Sequence, residues 1–287
     1  MTELPTGIAD PGEVRPLRLP PGAPLFQRRA ERLADLAPGN AAGDFLQLLA
    51  RVCEVQARVT GELRLSPNGR DLPATRPLGL ASPLPDWREA LARLLAGLAA
   101  IPMPPAAREA VHALQRAGAD EREALAGRVL RGELTTEDLA AATFAGAALQ
   151  VVYTGLAAAL PPGLPRAEDG GCPVCGAPPV AGVVLGDDKL RYLCCSLCAA
   201  EWNLPRLHCA VCRKQDHVGY LTLEGDTGPA KAEACRECRV YTKLLYVEKA
   251  PRLEVGADDL ATLALDLLVA EEGYRRNGRN LLLATAA

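Results

Sequence analysis

The stretch from Cys172 to Cys238 decides the fold of this chain, because it contains four pairs of cysteines that are each separated by two residues. The pairs occur as CPVC at 172–175, CSLC at 195–198, CAVC at 209–212 and CREC at 235–238. Two intervening residues allow a tight turn that directs both sulfurs to one point, and two such knuckles complete a tetrahedral shell of four thiolates. We therefore predict metal binding by Cys172, Cys175, Cys195, Cys198, Cys209, Cys212, Cys235 and Cys238.

The cysteine pairs form an internal repeat, in which each half has a knuckle, a gap and a second knuckle. Nineteen residues separate Cys175 from Cys195 and twenty-two separate Cys212 from Cys235, and each gap suits two short strands with their turn. Pairing of the knuckles in sequence order is the simplest arrangement. A cross-braced arrangement, in which the first knuckle joins the third, agrees equally well with the spacing. The repeat predicts two tandem modules of the rubredoxin-like or zinc-ribbon-like kind, each with one metal.

A shell of four thiolates limits the chemistry of each site. Such a shell accepts iron or zinc, and only iron adds one-electron redox chemistry. A closed shell leaves no position for a substrate, and the sequence shows no nucleophile–base constellation elsewhere. We therefore predict that the protein is not an enzyme. Two alternatives stay open, a rubredoxin-like iron redox protein and a double zinc-ribbon binding module.

Two cysteines fall outside the four pairs. Cys194 precedes Cys195 directly, and strand geometry directs neighbouring side chains to opposite faces. We interpret Cys194 as a core residue, with an exchangeable ligand and a sulfur-handling thiol as alternatives. Cys53 lies beside an apolar helical stripe and is interpreted as a small buried side chain.

Composition and charge exclude several classes of function. The 287 residues carry a net charge of −3, without the basic excess that nucleic-acid binding needs. The start of the chain, MTELPTGIADPGEV, lacks the apolar segment of a signal peptide, and clustered thiols favour a reducing compartment, so we expect a cytoplasmic protein. Residues 139–160 are uncharged and long enough to span a membrane, but they are rich in alanine. We predict a buried helix there and no membrane span.

The chain divides into five segments by composition. Residues 161–171 contain three prolines and three glycines and mark a boundary between an all-helical part and a part with short strands. The resulting fold class is α+β, with a last helix that starts near Gly256. The predicted segments are a Pro-rich extended or mobile arm (1–24), a helical domain (25–165), two metal modules (166–206 and 207–250) and a C-terminal helix with its tail (251–287).

The C-terminal half resembles the formate dehydrogenase accessory protein family FdhE. The N-terminal part matches that family only in its helical character and length. The resemblance is carried by the strings CPVCGAPPVAGVV at 172–184, LRYLCCSLCAAEW at 190–202, HCAVC at 208–212, KAEACRECRVYTKLLYVEKAP at 231–251 and ADDLATLALDLLVAEEGY at 257–274.

The resemblance implies a cytoplasmic, chaperone-like maturation factor that acts on the catalytic subunit of respiratory formate dehydrogenase before export. It also implies iron in each module, two ions in all, with zinc as the alternative. Two positions depart from the family pattern. Cys194 stands where the family often has His, and Asn280-Leu281-Leu282 replaces the usual Asn-Pro-Phe. The resemblance leaves self-association open.

Further residues suggest how the catalytic subunit, the client of such a maturation factor, would be held. The loop at 66–85 contains five prolines, and we expect it to hold the client together with the groove between the domains. Arg191, Lys231 and Lys243 lie near the knuckles, where they either contact an acidic client or face solvent from strands. Adjacent acids at 187–188 and 258–259 are interpreted as a turn and a helix start. Leucines at 260, 263, 267 and 268 are predicted to lie on one side of the last helix.

Overall fold

Helices fill the first half of the chain and strands most of the second half. The computed structural model describes residues 14–67, 72–80, 84, 86–164, 169–186, 189–206 and 208–284. The helices are α1 Ala23–Leu36, α2 Gly43–Glu62, α3 Trp87–Ala99, α4 Pro105–Arg116, α5 Ala119–Arg131, α6 Leu139–Ala158, α7 Val255–Ala261 and α8 Leu263–Glu271. The strands are β1 Leu17–Arg18, β2 Pro179–Leu185, β3 Leu190–Cys195, β4 Glu201–Asn203, β5 Val218–Leu221, β6 Ala230–Cys235, β7 Val240–Tyr246 and β8 Arg275–Arg276. The α+β class predicted from the sequence is confirmed.

Helix α6 is the centre of the helical half. It is apolar on all sides, as expected of a helix that is surrounded by protein, and α2, α3, α4 and α5 pack around it. The segment Thr136–Ala158 is long and apolar enough to cross a membrane, but 72% of its most apolar window is buried inside the fold. Its buried amide Gln150 is hydrogen-bonded on both sides, because it accepts from Gln56 of α2 and donates to the carbonyl of Ser196. The helix is therefore the buried core helix that its alanine-rich composition predicts.

The start of α6 depends on an ionised carboxylate. Asp138 accepts hydrogen bonds from the Arg128 guanidinium at 2.6 and 2.9 Å, and from the backbone and hydroxyl of Thr135 at 3.0 Å. The Arg128 guanidinium and the Thr135 donors outweigh the effect of burial and lower the pKa of Asp138 from 3.8 to about 2. The folded state therefore prefers the ionised carboxylate more strongly than the unfolded chain does.

We expect Asp138→Ala to lower the free energy of unfolding at neutral pH by about 1–2 kcal/mol, the usual value of a helix cap. Because the folded-state pKa lies below the unfolded value, this contribution is complete above about pH 4 and is lost as the pH falls towards 2. Urea unfolding between pH 2 and 7 measures the difference. Glu137→Ala removes an adjacent exposed acid and is the matched control. If Asp138→Ala lowers the free energy of unfolding equally at pH 2 and at pH 7, the ionised carboxylate of Asp138 is not what stabilises the start of α6.

The strands form one sheet in the order β1-β4-β3-β2-β7-β6-β5, with β8 beside β7. The two cysteine-rich halves are joined by parallel pairing of β2 with β7, in which Gly182 lies opposite Leu244. The two halves of the repeat are therefore two parts of a shared sheet. Local spacing within each half predicts the hairpins but contains no signal for this long-range pairing.

The predicted N-terminal arm is partly ordered into the fold. Leu17 and Arg18 pair with β4 at the edge of the sheet, and α1 begins at Ala23. The strand pairing fits the extended alternative for this segment better than the mobile one, whereas residues 1–13 lie outside the described part of the chain. Proline is compatible with an edge strand, which is how a Pro-rich segment joins this sheet.

The C-terminal segment differs from the single helix that the sequence predicts. The helix is broken into α7 and α8 at Thr262, whose hydroxyl accepts from the Lys243 ammonium. Leu260 is buried, but Leu267 and Leu268 are exposed, so the predicted common side of four leucines is wrong. Arg275 and Arg276 lie in β8 and not in the last helical turn.

The tail after β8 is buried against α6. Asn280 donates to the carbonyl of Gly256 at 2.9 Å, and Leu282 has no exposed surface. A Cβ atom at Gly146 of α6 would lie only 2.9 Å from the carbonyl oxygen of Leu281, so this glycine permits the close approach. The tail therefore serves the fold, and its buried residues Leu281 and Leu282 are not accessible to a client.

Candidate metal centres

The first group of cysteines joins the first and second knuckles. Cys172 and Cys175 precede β2, while Cys195 and Cys198 follow at the end of β3, and their four sulfurs lie within 4.8 Å of one another. Sulfur–sulfur distances are 3.5 Å for Cys172–Cys198 and 3.4 Å for Cys175–Cys195. A tetrahedral shell with metal–sulfur bonds of about 2.3 Å has edges of roughly 3.8 Å. The sulfurs are thus spaced for a single ion and are too far apart for disulfides.

The second group joins the third and fourth knuckles. Cys209 and Cys212 precede β5, and Cys235 and Cys238 lie at the turn from β6 to β7. The sulfurs of Cys209 and Cys238 are 3.6 Å apart, and those of Cys212 and Cys235 are 3.7 Å apart. The knuckles therefore associate in sequence order, and the cross-braced alternative is excluded. All ten cysteines are free thiols in this structure.

The knuckles share a backbone geometry that the sequence reveals at only one position. In the first three knuckles a backbone N–H two residues after the first cysteine points at its sulfur at 3.4 Å. The residue after each second cysteine has positive φ, and only the first of these residues, Gly176, is a glycine. The other three are Ala199, Arg213 and Arg239, with φ between 56° and 63°. A residue with a Cβ atom has a steric cost in the left-handed conformation, so these three residues are strained. The contacts within the cysteine groups hold them in this conformation.

Electrostatics in the first group favour bound cations. Burial raises the pKa of the Cys175 and Cys198 thiols well above the usual value. Burial acts in the same direction on Cys195, but hydrogen bonds from the other three thiols of the group outweigh it and lower the pKa of Cys195 well below the usual value. The pocket thus stabilises a thiolate among thiol donors. A metal ion that replaces the shared protons binds all four sulfurs as thiolates.

The two groups differ in their surroundings. The first is completely buried and belongs to the same apolar core as the helical half. Its second knuckle is held by α6, since Gln150 donates to the carbonyl of Ser196 at 2.9 Å and Thr154 to that of Leu197 at 3.5 Å. In the second group Cys212 and Cys238 are partly exposed, and burial raises the pKa of Cys209 only to about 12. The first site is therefore part of the core, and the second lies at the surface.

We expect the second site to release its metal first. Partial exposure allows a chelator to approach Cys212 and Cys238, whereas release from the first site requires opening of the core. Addition of a chromogenic chelator to the metal-loaded protein should show two phases of release, with rates that differ at least about tenfold. In Cys212→Ser the fast phase should disappear and the slow phase should remain. If the fast phase persists in this variant, the fast release comes from the first site and not from the second.

The two unpaired cysteines belong to neither group. Cys194 points into a separate apolar cluster of the sheet, and burial raises its pKa well above the usual value. Cys53 has no exposed surface, and burial raises its pKa to about 12. Both are buried in the core as protonated thiols, as the first interpretation of each predicts.

Buried charges near the knuckles have roles that the sequence interpretation missed. Arg191 is completely buried, pairs with Glu233 and donates to the carbonyl of His208 at 3.0 Å. Lys243 is also completely buried and lies 2.6 Å from Asp266 and 3.1 Å from Asp259. Neither cation faces solvent or a client, so both readings made from the sequence are wrong for them. A charged residue inside an otherwise apolar strand is the signal that could have indicated a buried ion pair.

Asp258, one of the two adjacent acids of the last segment, and nearby Glu254 join the two halves. Asp258 binds the Arg32 guanidinium of α1 at 2.6 and 2.9 Å, and Glu254 binds Arg29 of the same helix at 2.9 and 3.0 Å. The interpretation of the adjacent acids as a simple helix start is therefore incomplete, because these bonds fix α7 against α1. The other acidic pair, at 187–188, lies outside the described residues.

Fold and sites together define a class of protein, in which a helical bundle packs on a mixed sheet that carries two closed groups of four cysteines. Three families match consecutive parts of the chain. Those described as FdhE, N-terminal, as FdhE, central domain, and as FdhE, C-terminal domain match residues 14–167, 171–206 and 207–283. The chain belongs to the FdhE family.

Relatives and a solved structure agree with this assignment. A protein FdhE homolog of Pseudomonas aeruginosa is 39% identical over 283 residues, which cover 92% of this chain and 91% of the relative. Protein FdhE of Escherichia coli O139:H28 is 35% identical, with 94% and 91% coverage. The crystal structure of the FdhE protein from Pseudomonas aeruginosa superposes with a TM-score of 0.81 at 34% identity, covering 94% of this chain and 99% of that one. Family membership supports a role accessory to formate dehydrogenase.

Proposed function

We propose that this protein is a cytoplasmic maturation factor that binds the catalytic subunit of respiratory formate dehydrogenase before export. The observation that carries the proposal is the pair of closed four-cysteine groups in a member of the FdhE family. In each group all four sulfurs converge on one point, so a metal ion bound there would have no free coordination position for a substrate. The protein therefore acts by binding another protein, without catalysis, without a membrane span and without nucleic acid.

The eight paired cysteines are proposed as the ligands of two metal ions, with iron in each site and zinc as the alternative. Four thiolates suit either metal. Iron supplies one-electron chemistry when bound, whereas zinc only holds the knuckles together. The helical domain of residues 25–165 and the modules of 166–206 and 207–250 are then the working units, and the metal bonds stabilise the modules.

The test is an affinity capture from the native host under anaerobic conditions, followed by a titration of the purified partners. The wild-type protein should retain the catalytic subunit of formate dehydrogenase, and metal analysis should give two ions per chain. A host strain without the protein should lose formate dehydrogenase activity and regain it with the wild-type gene. Capture of no dehydrogenase, together with normal activity in the deletion strain, would overturn the proposal.

A second candidate function is electron transfer through the exposed site. The partial exposure of Cys212 and Cys238 favours it, because an electron carrier needs an accessible centre. It requires iron and a reversible couple in protein purified without oxygen. Zinc in both sites would exclude electron transfer. It would also be excluded if variants of Cys172 and Cys175 lost function while variants of Cys212 and Cys238 kept it.

A further inference from the structure

A cleft beside α8 takes no part in either cysteine group. It has a volume of 790 Å³ and lies between α8, the residues after β8 and the end of α5. This volume falls in the range of established binding pockets. None of the eight paired cysteines lines the cleft. The fold therefore presents a second recess that the metal sites do not explain.

One wall of the cleft is an apolar surface that continues outward. Leu263, Leu267 and Ala270 of α8 line it, together with Leu283 of the tail. Leu267 is 68% exposed, and the adjacent Leu268 is 46% exposed. Single exposed leucines are ordinary on protein surfaces, but a largely exposed leucine that also lines an apolar cleft indicates an interaction site. A partner with apolar side chains is needed to cover this helix.

The cleft is also lined by cationic side chains. The Arg275 side chain is exposed, and no carboxylate of the described residues pairs with it. Arg279 is half-buried and donates only to the carbonyls of Gly132 and Val129, at 3.1 and 3.4 Å, so that burial lowers its pKa. Asp266 lines the same cleft, but its charge is balanced by Lys243 and Arg276. The cleft therefore carries an excess of positive charge.

The aromatic residues of the cleft argue against a nucleic-acid ligand. The Arg239 guanidinium lies 3.9 Å from the centre of the Tyr274 ring and covers that face, and the Tyr241 hydroxyl donates to Asp266 at 2.7 Å. Single-stranded nucleic acid needs exposed rings on which bases stack. A lining of both arginines and apolar side chains instead fits a peptide that carries both carboxylates and apolar side chains.

We propose that this cleft binds an acidic, apolar peptide segment of the partner protein. The inference rests on the proposed function, from which the partner is the immature catalytic subunit of formate dehydrogenase. Apolar side chains of the segment pack on Leu267 and Leu268. Its carboxylates pair with Arg275 and Arg279, two guanidinium groups that lack an acidic partner among the described residues. Charge complementarity sets the orientation, and the apolar contact supplies most of the affinity.

The experiment compares surface variants of the full-length, metal-loaded protein in titrations with the purified catalytic subunit in its apo form. Leu267→Asp and Arg275→Glu change exposed side chains of the cleft. Val14→Asp and Arg64→Glu make the same changes at exposed positions that do not line it. Each cleft variant should raise the Kd at least about tenfold, the usual effect of a central interface residue. Each control should stay within about twofold, since isolated surface changes rarely matter.

The outcomes separate the inference from the proposed function. If the wild-type protein does not bind the subunit, the proposed function and the inference both fail. If the wild-type protein binds and the cleft variants bind equally well, only the inference is overturned. If the inference holds, a photo-crosslinker at position 267 should react with a segment of the subunit that contains aspartate or glutamate beside apolar residues. A crosslinked segment without acidic residues would also overturn the inference.

Discussion

Replacement of Cys172 and Cys175 by alanine is expected to abolish the folded state of this protein at 25 °C. The first cysteine group is part of the continuous core that includes Leu149 of α6 and Leu193 of β3. The apparent binding free energy of a structural metal is about 10–16 kcal/mol in small zinc domains, as large as the whole stability of a typical domain, about 5–15 kcal/mol. Loss of two ligands removes most of this contribution. Circular dichroism and native mass spectrometry of the purified variant measure the result.

The matched control is Cys194→Ala, which removes a buried sulfur one residue away from a proposed ligand. Cys194 belongs to a different apolar cluster and to neither cysteine group, so its loss should cost about 1 kcal/mol, a typical single-substitution value. Both variants remove buried thiols, and only the double variant should change metal content. A double variant that keeps a cooperative unfolding transition and both metals would show that these cysteines are not ligands.

The cysteine groups were the most predictable part of the structure. Two-residue spacing is a local feature, and the turn that it imposes depends little on the rest of the fold. The buried helix at 139–160 was predictable for a similar reason, because continuous alanine-rich apolar sequence fits only a site surrounded by protein. The observed helix α6 runs from Leu139 to Ala158. Signals that lie within about twenty residues were therefore sufficient for these elements.

The remaining features depend on contacts between distant segments. Arg191 and Glu233 are 42 residues apart in sequence, and their pairing follows from the register of the sheet. The parallel pairing of β2 with β7, the edge position of Leu17 and Arg18, and the break at Thr262 have the same origin. A strand pattern gives the alternation of faces but not the neighbouring strand. These features required the three-dimensional structure.

Asp259→Asn is expected to lower the free energy of unfolding by about 3–5 kcal/mol at neutral pH, the usual cost of breaking a buried ion pair. Asp259 and Lys243 have no exposed side-chain surface and lie 3.1 Å apart, and Asp259 also binds Arg276 and accepts from Asn280. The asparagine keeps the volume but leaves two buried cations with Asp266 alone. Burial disfavours ionisation of Asp259, but Lys243 and Arg276 outweigh it and lower its pKa. The cost should therefore be complete above about pH 4 and shrink as the pH falls below that value.

Two further variants test whether charge, and not packing, is the cause. Asp35→Asn breaks an exposed pair with Arg252 and should cost less than about 1 kcal/mol, as surface salt bridges do. Addition of Lys243→Met to Asp259→Asn restores a balance of one cation and one anion, so the double variant should recover about 1 kcal/mol or more relative to Asp259→Asn. Chemical denaturation of the wild type, these three variants and Lys243→Met alone at pH 7 measures these differences. If Lys243→Met adds its own full cost to that of Asp259→Asn, the two groups act independently, and the buried network does not hold α7, α8 and the tail on the sheet.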